Sequence, residues 1–301
     1  LHQFMIGQYG GFDFHKYPRD FKAAFYGIEA CSFPGDEYCP HLIEESKSKG
    51  FRVGVHFPFR ANGSAIRDAL FLSSDPGERE AAFEQIRTEL EYLTVLKPEY
   101  VLFHYPKPVI LDDRVDWKLW RFGDRREYIF ESERTLSGLI ERSEFLFEWL
   151  DLRSREYHFT PILEFDALNR YVYEHDFFEN LLLKYPQIQL CLDTARLHLQ
   201  DKLDPRFDAK AVLRKYAKYA GLIHLSTVQV NQTVQNSHYP VLPELSVQDG
   251  WAPIAEYLQI IRGENSRVKI MFEHRSDLIT EDQLQQCYDW VDAIVNGSVY
   301  L

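Results

Sequence analysis

PILEF (161–165), QLCLD (189–193), GLIHL (221–225) and KIMFE (269–273) are four short apolar runs, each with a charged or imidazole side chain at or beside its C-terminal end. A parallel strand buried on both faces reads as a near-continuous hydrophobic run, and an ionisable group inside it is costly unless something there pairs with it. Glu164, Asp193, His224 and Glu273 hold these positions. One such residue is ordinary. Four in succession point to strands of one sheet delivering ligands to one place.

Outward from these runs the chain keeps alternating short apolar segments with longer amphipathic ones. Earlier strand candidates are FMIGQ (4–8), FYGIEA (25–30), RVGVHF (52–57) and YVLFHY (100–105); the later four extend to 159–165, 188–193, 221–226 and 268–273. Helical periodicity is clearest over 78–96, 131–156, 210–220 and 280–295, the last opening on Thr280 with Asp282 and Gln283, a capped start. Eight β/α repeats predict an α/β fold, a single (β/α)8 TIM barrel domain over 1–301, with long loops at 105–130 and 227–249. An open doubly wound sheet is the rival. It needs a phosphate-binding turn after its first strand, and IGQYGGFDF (6–14) contains no GxGxxG before a helix. A barrel also explains where the polar residues lie, since barrel active sites gather at the C-terminal ends of the strands.

Composition narrows the function classes. A net charge of −12 gives no support to a phosphate-backbone binder, so nucleic acid is disfavoured as a partner. The 45% hydrophobic and 15% aromatic content supplies a large core, but no apolar stretch reaches the roughly 20 residues a membrane span requires. The opening LHQFMIGQYGGFDFH lacks a charged segment followed by an apolar one, which with the cysteine usage favours a cytoplasmic compartment. Cys31, Cys39, Cys191 and Cys287 form no CxxC pattern, and Cys191 reads as a small core residue. The Asn-x-Ser/Thr triplets at Asn62, Asn231 and Asn296 carry no meaning without secretion.

Three carboxylates and an imidazole suit Mn²⁺, Mg²⁺, Co²⁺ or Zn²⁺ with open coordination positions rather than a thiolate-rich structural zinc site. Taken singly, each residue has a plainer reading: a glutamate in a salt bridge, a hydrogen-bonded core histidine, or Asp193 capping the helix that follows it. Their occurrence on four consecutive strands favours a single divalent metal ion held by Glu164, Asp193, His224 and Glu273.

ILEFD, LCLDTARLHL, LIHLS and MFEH, together with the strand order, resemble the xylose isomerase-like barrels, a superfamily of sugar isomerases, tagatose-type epimerases, inosose dehydratases and the endonuclease IV group. The resemblance implies that the quartet binds one divalent metal and that Glu164 and Glu273 also serve as acid and base on opposite faces of a ketose. In endonuclease IV-like proteins, histidines at the positions of His56 and His104 join the first glutamate on a second zinc. Here these two residues are open to a second metal, to substrate hydrogen bonds or to packing. The third zinc of that group needs a histidine three residues after the aspartate and an Asp-x-His. This chain has Arg196, and then Asn236, Ser237 and His238. Arg196 therefore reads either as an anion-binding substrate contact or as an ion-pair partner, and His238 as a substrate contact. Trp117, Trp120, Arg121, Arg125 and Arg126 read as a solvated surface helix or as an aromatic lid over a sugar.

The expected protein is thus a metal-dependent isomerase or epimerase of a sugar, sugar acid or cyclitol. The alternatives are a dehydratase or lyase using the same enediolate, an endonuclease IV-like zinc phosphodiesterase, and a non-catalytic small-molecule-binding barrel. Homo-oligomerisation stays open.

Overall fold

A computed structural model describes residues 1–61 and 66–297; the Asn62 triplet and the last residue of the Asn296 triplet lie outside the described residues. Eight parallel strands close into a barrel: β1 (Phe4–Tyr9), β2 (Gly27–Cys31), β3 (Arg52–His56), β4 (Tyr100–Tyr105), β5 (Thr160–Phe165), β6 (Gln189–Asp193), β7 (Ala220–Leu225) and β8 (Lys269–Phe272). Phe4 to Ile6 of β1 pair with Ile270 to Phe272 of β8 and seal the cylinder. Every expected strand is present, with no end moved by more than two residues and Tyr100–Tyr105 unmoved. No helix among the described residues is long and apolar enough to cross a membrane.

The helices begin where capping chemistry allows. Helix Pro76–Leu93 starts earlier than periodicity suggests, because Asp75 accepts from the Glu78 amide and Pro76 needs no partner at the first turn. Helix Leu136–Tyr157 starts later than expected, capped by Thr135; the preceding Glu131–Glu133 forms a 3-10 turn whose Glu131 carboxylate binds Arg170. Thr280 and Gln283 form the expected reciprocal cap of helix Glu281–Asn296. The expected helix at 210–220 shortens to Ala209–Tyr216, since Ala217–Tyr219 tightens to 3-10 geometry and Ala220 already belongs to β7.

Alternation along the strands sorts the core into two environments. Leu163, Phe165, Leu190 and Leu192 point outward and join the large cluster under the helices. Met5, Tyr100, Leu102, Ile162, Cys191, Leu222 and Met271 fill the barrel interior, so Cys191 is the core residue its apolar run implied. Two residues further along five of these chain segments stand His104, Glu164, Asp193, His224 and Glu273. The period of two thus carries each strand from an apolar interior layer to a polar mouth. Gly54 makes room in this interior: a Cβ there would sit 2.0 Å from the Tyr100 ring, which crosses the barrel to place its hydroxyl 2.8 Å from Glu29.

The two long loops are more structured than expected. After β4, Val109–Leu111 pairs in parallel with Tyr128–Phe130. Trp117 and Trp120 are buried against Val109, Leu111 and Ala167, and the Trp117 indole donates to the Asp112 carbonyl. Neither a solvated helix nor an open aromatic lid describes this segment, because its apolar residues form a small core of their own. Arg125 stacks on Tyr128 and Arg126 pairs with Asp124, while Arg121 is exposed. After β7, Thr227–Val230 and Val234–Tyr239 form an antiparallel hairpin that carries His238 to the barrel mouth.

Candidate metal centre

One donor atom from each of Glu164, Asp193, His224 and Glu273 lies within 4.8 Å of every other. Strands β5 to β8 are consecutive around the barrel, and each of these side chains stands two residues after an inward-facing apolar one. Asp193 divides its carboxylate between two tasks. Oδ1 accepts the Ala195 and Arg196 amides and caps helix Thr194–Leu203, while Oδ2 stays on the site side, 3.3 Å from Arg196 Nε.

Three imidazoles surround Glu164, and each is tied at its outer nitrogen to an acceptor. His56 Nδ1 donates to the Phe57 carbonyl at 2.9 Å, His104 Nδ1 to Asp68 at 3.0 Å, and His224 Nε2 to Glu29 at 3.2 Å. A carbonyl or carboxylate can only accept, so the proton of each neutral ring is fixed on the outer nitrogen. The inner nitrogen then faces Glu164: His56 at 3.4 Å, His104 at 2.8 Å, His224 at 2.9 Å. Rings oriented in this way by an outer acceptor are how proteins present histidine to a metal.

Beside Glu164 the chain supplies a positive charge itself, with Arg196 Nε 3.9 Å from Oε1. The Arg196 guanidinium donates to His104 Nε2 at 3.3 Å and to Asp166 at 3.0 Å. On the Oε1 side, His224 Nδ1 is 2.9 Å from Glu164 Oε1 and 3.3 Å from Glu273 Oε2, and none of these three buried atoms makes a hydrogen bond. With the His224 ring neutral, as a metal ligand must be, three acceptors without donors converge there, which is costly in a dry interior. A divalent cation is the group this donor set fits.

Without a cation the His224 ring carries the balancing charge: against burial, Cys191, Glu29, Glu164 and Glu273 hold it well above its usual range. Burial would raise the Glu164 carboxyl, but His224, Arg196 and His104 hold it well below the usual range. Glu273 is likewise held down against burial, chiefly by His224. Asp193 goes the other way: burial and the Glu273 charge push it up to about 6. Three convergent carboxylates do not ionise together easily, and a cation removes that conflict.

Several partners have no place in the sequence reading. Glu29, fully buried, takes hydrogen bonds from Tyr9 at 3.0 Å and Tyr100 at 2.8 Å as well as from His224. Its signal was available, a charge inside the apolar run FYGIEA. Asp68, Lys107 and Asp166 form a buried cluster behind His104 and Arg196. Arg196 meets its ion-pair reading, spending Nη1 on Asp166 and Nε on Asp193, and also lines the cavity. His238 reaches the same cavity from the hairpin, with Nδ1 3.4 Å from the Glu273 carbonyl.

The role of Glu29 is testable. Glu29→Leu keeps similar bulk and removes the acceptor that fixes the His224 tautomer. Mn²⁺ affinity, followed by electron paramagnetic resonance, is expected to fall about 10- to 100-fold; an unchanged affinity would show that the ring needs no such anchor.

No family model matches the sequence, and no curated protein matches it. Solved structures do match, along nearly the whole chain. The TTHB071 protein from Thermus thermophilus, solved after soaking with ZnCl2, is 16% identical over 99% of this chain and 100% of its own, with a TM-score of 0.62. D-Psicose 3-epimerase from Clostridium cellulolyticum H10, solved with D-tagatose, is 16% identical over 97% and 99%, TM-score 0.61. The IOLI protein with a bound zinc atom is 12% identical over 99% and 100%, TM-score 0.65. The structures matched are xylose isomerase-like TIM barrels, and this chain shares their fold.

Proposed function

We propose that this protein is a divalent-metal-dependent isomerase or epimerase of a small sugar, sugar acid or cyclitol, acting through an enediolate. The observation that carries the proposal is the convergence of Glu164, His224 and Glu273 at a barrel mouth that opens into a cavity of about 600 Å³. The sharing of this fold with sugar epimerases adds support.

Glu164, Asp193, His224 and Glu273 would hold the metal. When bound, it supplies positive charge that stabilises an enediolate on two adjacent substrate oxygens. Glu164 and Glu273, on β5 and just beyond β8, act as base and acid: one carboxylate takes the proton from the carbon beside the carbonyl, and the other returns it. Return to the same carbon from the other face gives an epimer; return to the neighbouring carbon gives an isomer. A dehydratase or lyase would share the proton abstraction and differ in expelling hydroxide.

A phosphodiesterase of the endonuclease IV kind is disfavoured. Its second metal would have to share His104 Nε2 with the Arg196 guanidinium, and Arg196 stands where its third metal needs a histidine. On this reading one metal binds, and His56 and His104 pack around Glu164.

Proton abstraction from carbon gives a direct test. Protein stripped of metal and then reloaded with Mn²⁺ is incubated in D2O with ketoses, aldoses, their acids and their phosphates, and deuterium at the carbon beside the carbonyl is followed by NMR. Incorporation is expected with metal and is lost after stripping. Equal incorporation by the stripped protein would overturn the metal requirement, and none across the panel would favour the non-catalytic barrel.

A further inference from the structure

The cavity that Glu273 lines is cationic, in a chain whose net charge is −12. Most of its positive groups are already engaged. Arg196 is held by Asp166 and Asp193, Arg275 by Asp277 at 2.7 Å, Arg19 by the carbonyls of Ser276 and Ile279, and Lys16 by the Gly7 carbonyl at 2.8 Å. Arg67 differs. Among the described residues its guanidinium meets the Cys31 sulfur at 3.8 Å and no carboxylate in ion-pair contact, and it lines the cavity. A guanidinium is a rigid fork of donors matched to a carboxylate or phosphate, and a weak contact to sulfur leaves most of that fork open to a ligand.

We propose that Arg67 docks an anionic substituent of the substrate, a carboxylate or a phosphate ester, while the neighbouring oxygens of the same molecule meet the Glu164–Glu273 centre. This rests on the isomerase or epimerase reading for the reacting end and adds the class of the distal end. The geometry is consistent with a short substrate, because Arg67, Glu273 and Tyr9 share one cavity. Lys16 and Arg19, on the segment after β1, add to the positive potential that draws an anion inward.

The test is calorimetric titration of Mn²⁺-loaded protein with D-glucuronate, D-glucose 6-phosphate and neutral D-glucose, repeated in EDTA and with Arg67→Gln and Arg67→Lys. The intact protein is expected to prefer at least one anion over D-glucose by about tenfold or more. Arg67→Gln is expected to erase that preference in both buffers, Arg67→Lys to restore part of it, and Mn²⁺ affinity to stay within about twofold, since Arg67 is not a ligand. The tighter anion identifies the substituent as carboxylate or phosphate ester. Equal binding of D-glucose and both anions, or a preference that survives Arg67→Gln, overturns the proposal. Failure of Mn²⁺ to bind in every variant would instead overturn the metal reading, and the EDTA titrations would still decide the role of Arg67.

Discussion

Glu164→Gln is expected to lower metal-dependent deuterium incorporation by about a thousandfold or more, the range in which general-base loss falls before any loss of metal affinity is added. Glu164 is the shared partner of the whole site, lying within 3.4 Å of an inner nitrogen of His56, His104 and His224, with Arg196 Nε at 3.9 Å. The amide keeps the shape but cannot take the proton, and its neutral oxygen is a poorer ligand. Glu273→Gln should match it in turnover but not in other properties. Glu273 is in ion-pair contact only with His224 among these groups, at 3.3 Å, and acts on Arg196 less than Asp166, Glu164 and Asp193 do, so its loss disturbs the charge balance around His104 and Arg196 less. Glu164→Gln should therefore cost fold stability in EDTA as well as activity, and Glu273→Gln mainly activity and metal affinity. Parallel measurement of deuterium exchange, Mn²⁺ affinity and urea midpoint separates the two. Retention of a tenth of the exchange rate by Glu164→Gln would remove it from the base role.

The difference between these glutamates and Glu29 marks what a sequence can carry. A charge closing an apolar run is visible because it violates the strand's own pattern, so the barrel order and the quartet were legible together. Glu29 violates the same pattern on β2, one residue from the end of its run as Glu164 and His224 are, but it stands apart from the four consecutive later runs, and nothing local says that it meets His224. Asp68 and Arg67 lie in an aperiodic stretch, and their meaning comes from contact with His104 and with the cavity wall. The tryptophans after β4 read as surface or lid because their burial depends on a two-stranded ladder formed by segments on either side of them. Local pattern, in this chain, reports the strands that deliver ligands. It does not report which acceptor orients each ligand.

Lys107→Met carries the largest expected effect on stability. Lys107 lies between two prolines just past β4, with its side chain 3% exposed and its ammonium 2.7 Å from Asp68, 2.8 Å from Asp166 and 3.8 Å from Glu127. Asp68 orients His104 and Asp166 anchors Arg196, so one buried cation holds both outer supports of the site. Methionine preserves length and leaves two buried carboxylates short of a partner. The expected loss is about 3 kcal/mol at pH 7, the low end for breaking a buried ion pair because His104 and Arg196 remain. The pH dependence follows from the shifts. Burial alone would raise Asp68 and Asp166, but His104 and Lys107 at the first and Lys107 and Arg196 at the second depress both. Their contribution is present above about pH 4 and is lost as pH falls through the depressed folded values. Burial would lower Lys107, but Asp166 and Asp68 raise it, so its contribution is present below about pH 10 and is lost as pH climbs past the raised value. The deficit of Lys107→Met should therefore be flat through neutrality and narrow in acid, as the unpartnered carboxyls take up protons. Urea midpoints at about pH 7 and about pH 4.5 measure it; a loss under about 1 kcal/mol at neutral pH, the size of an exposed pair, or a deficit that widens in acid, would show that the cluster does not depend on this lysine.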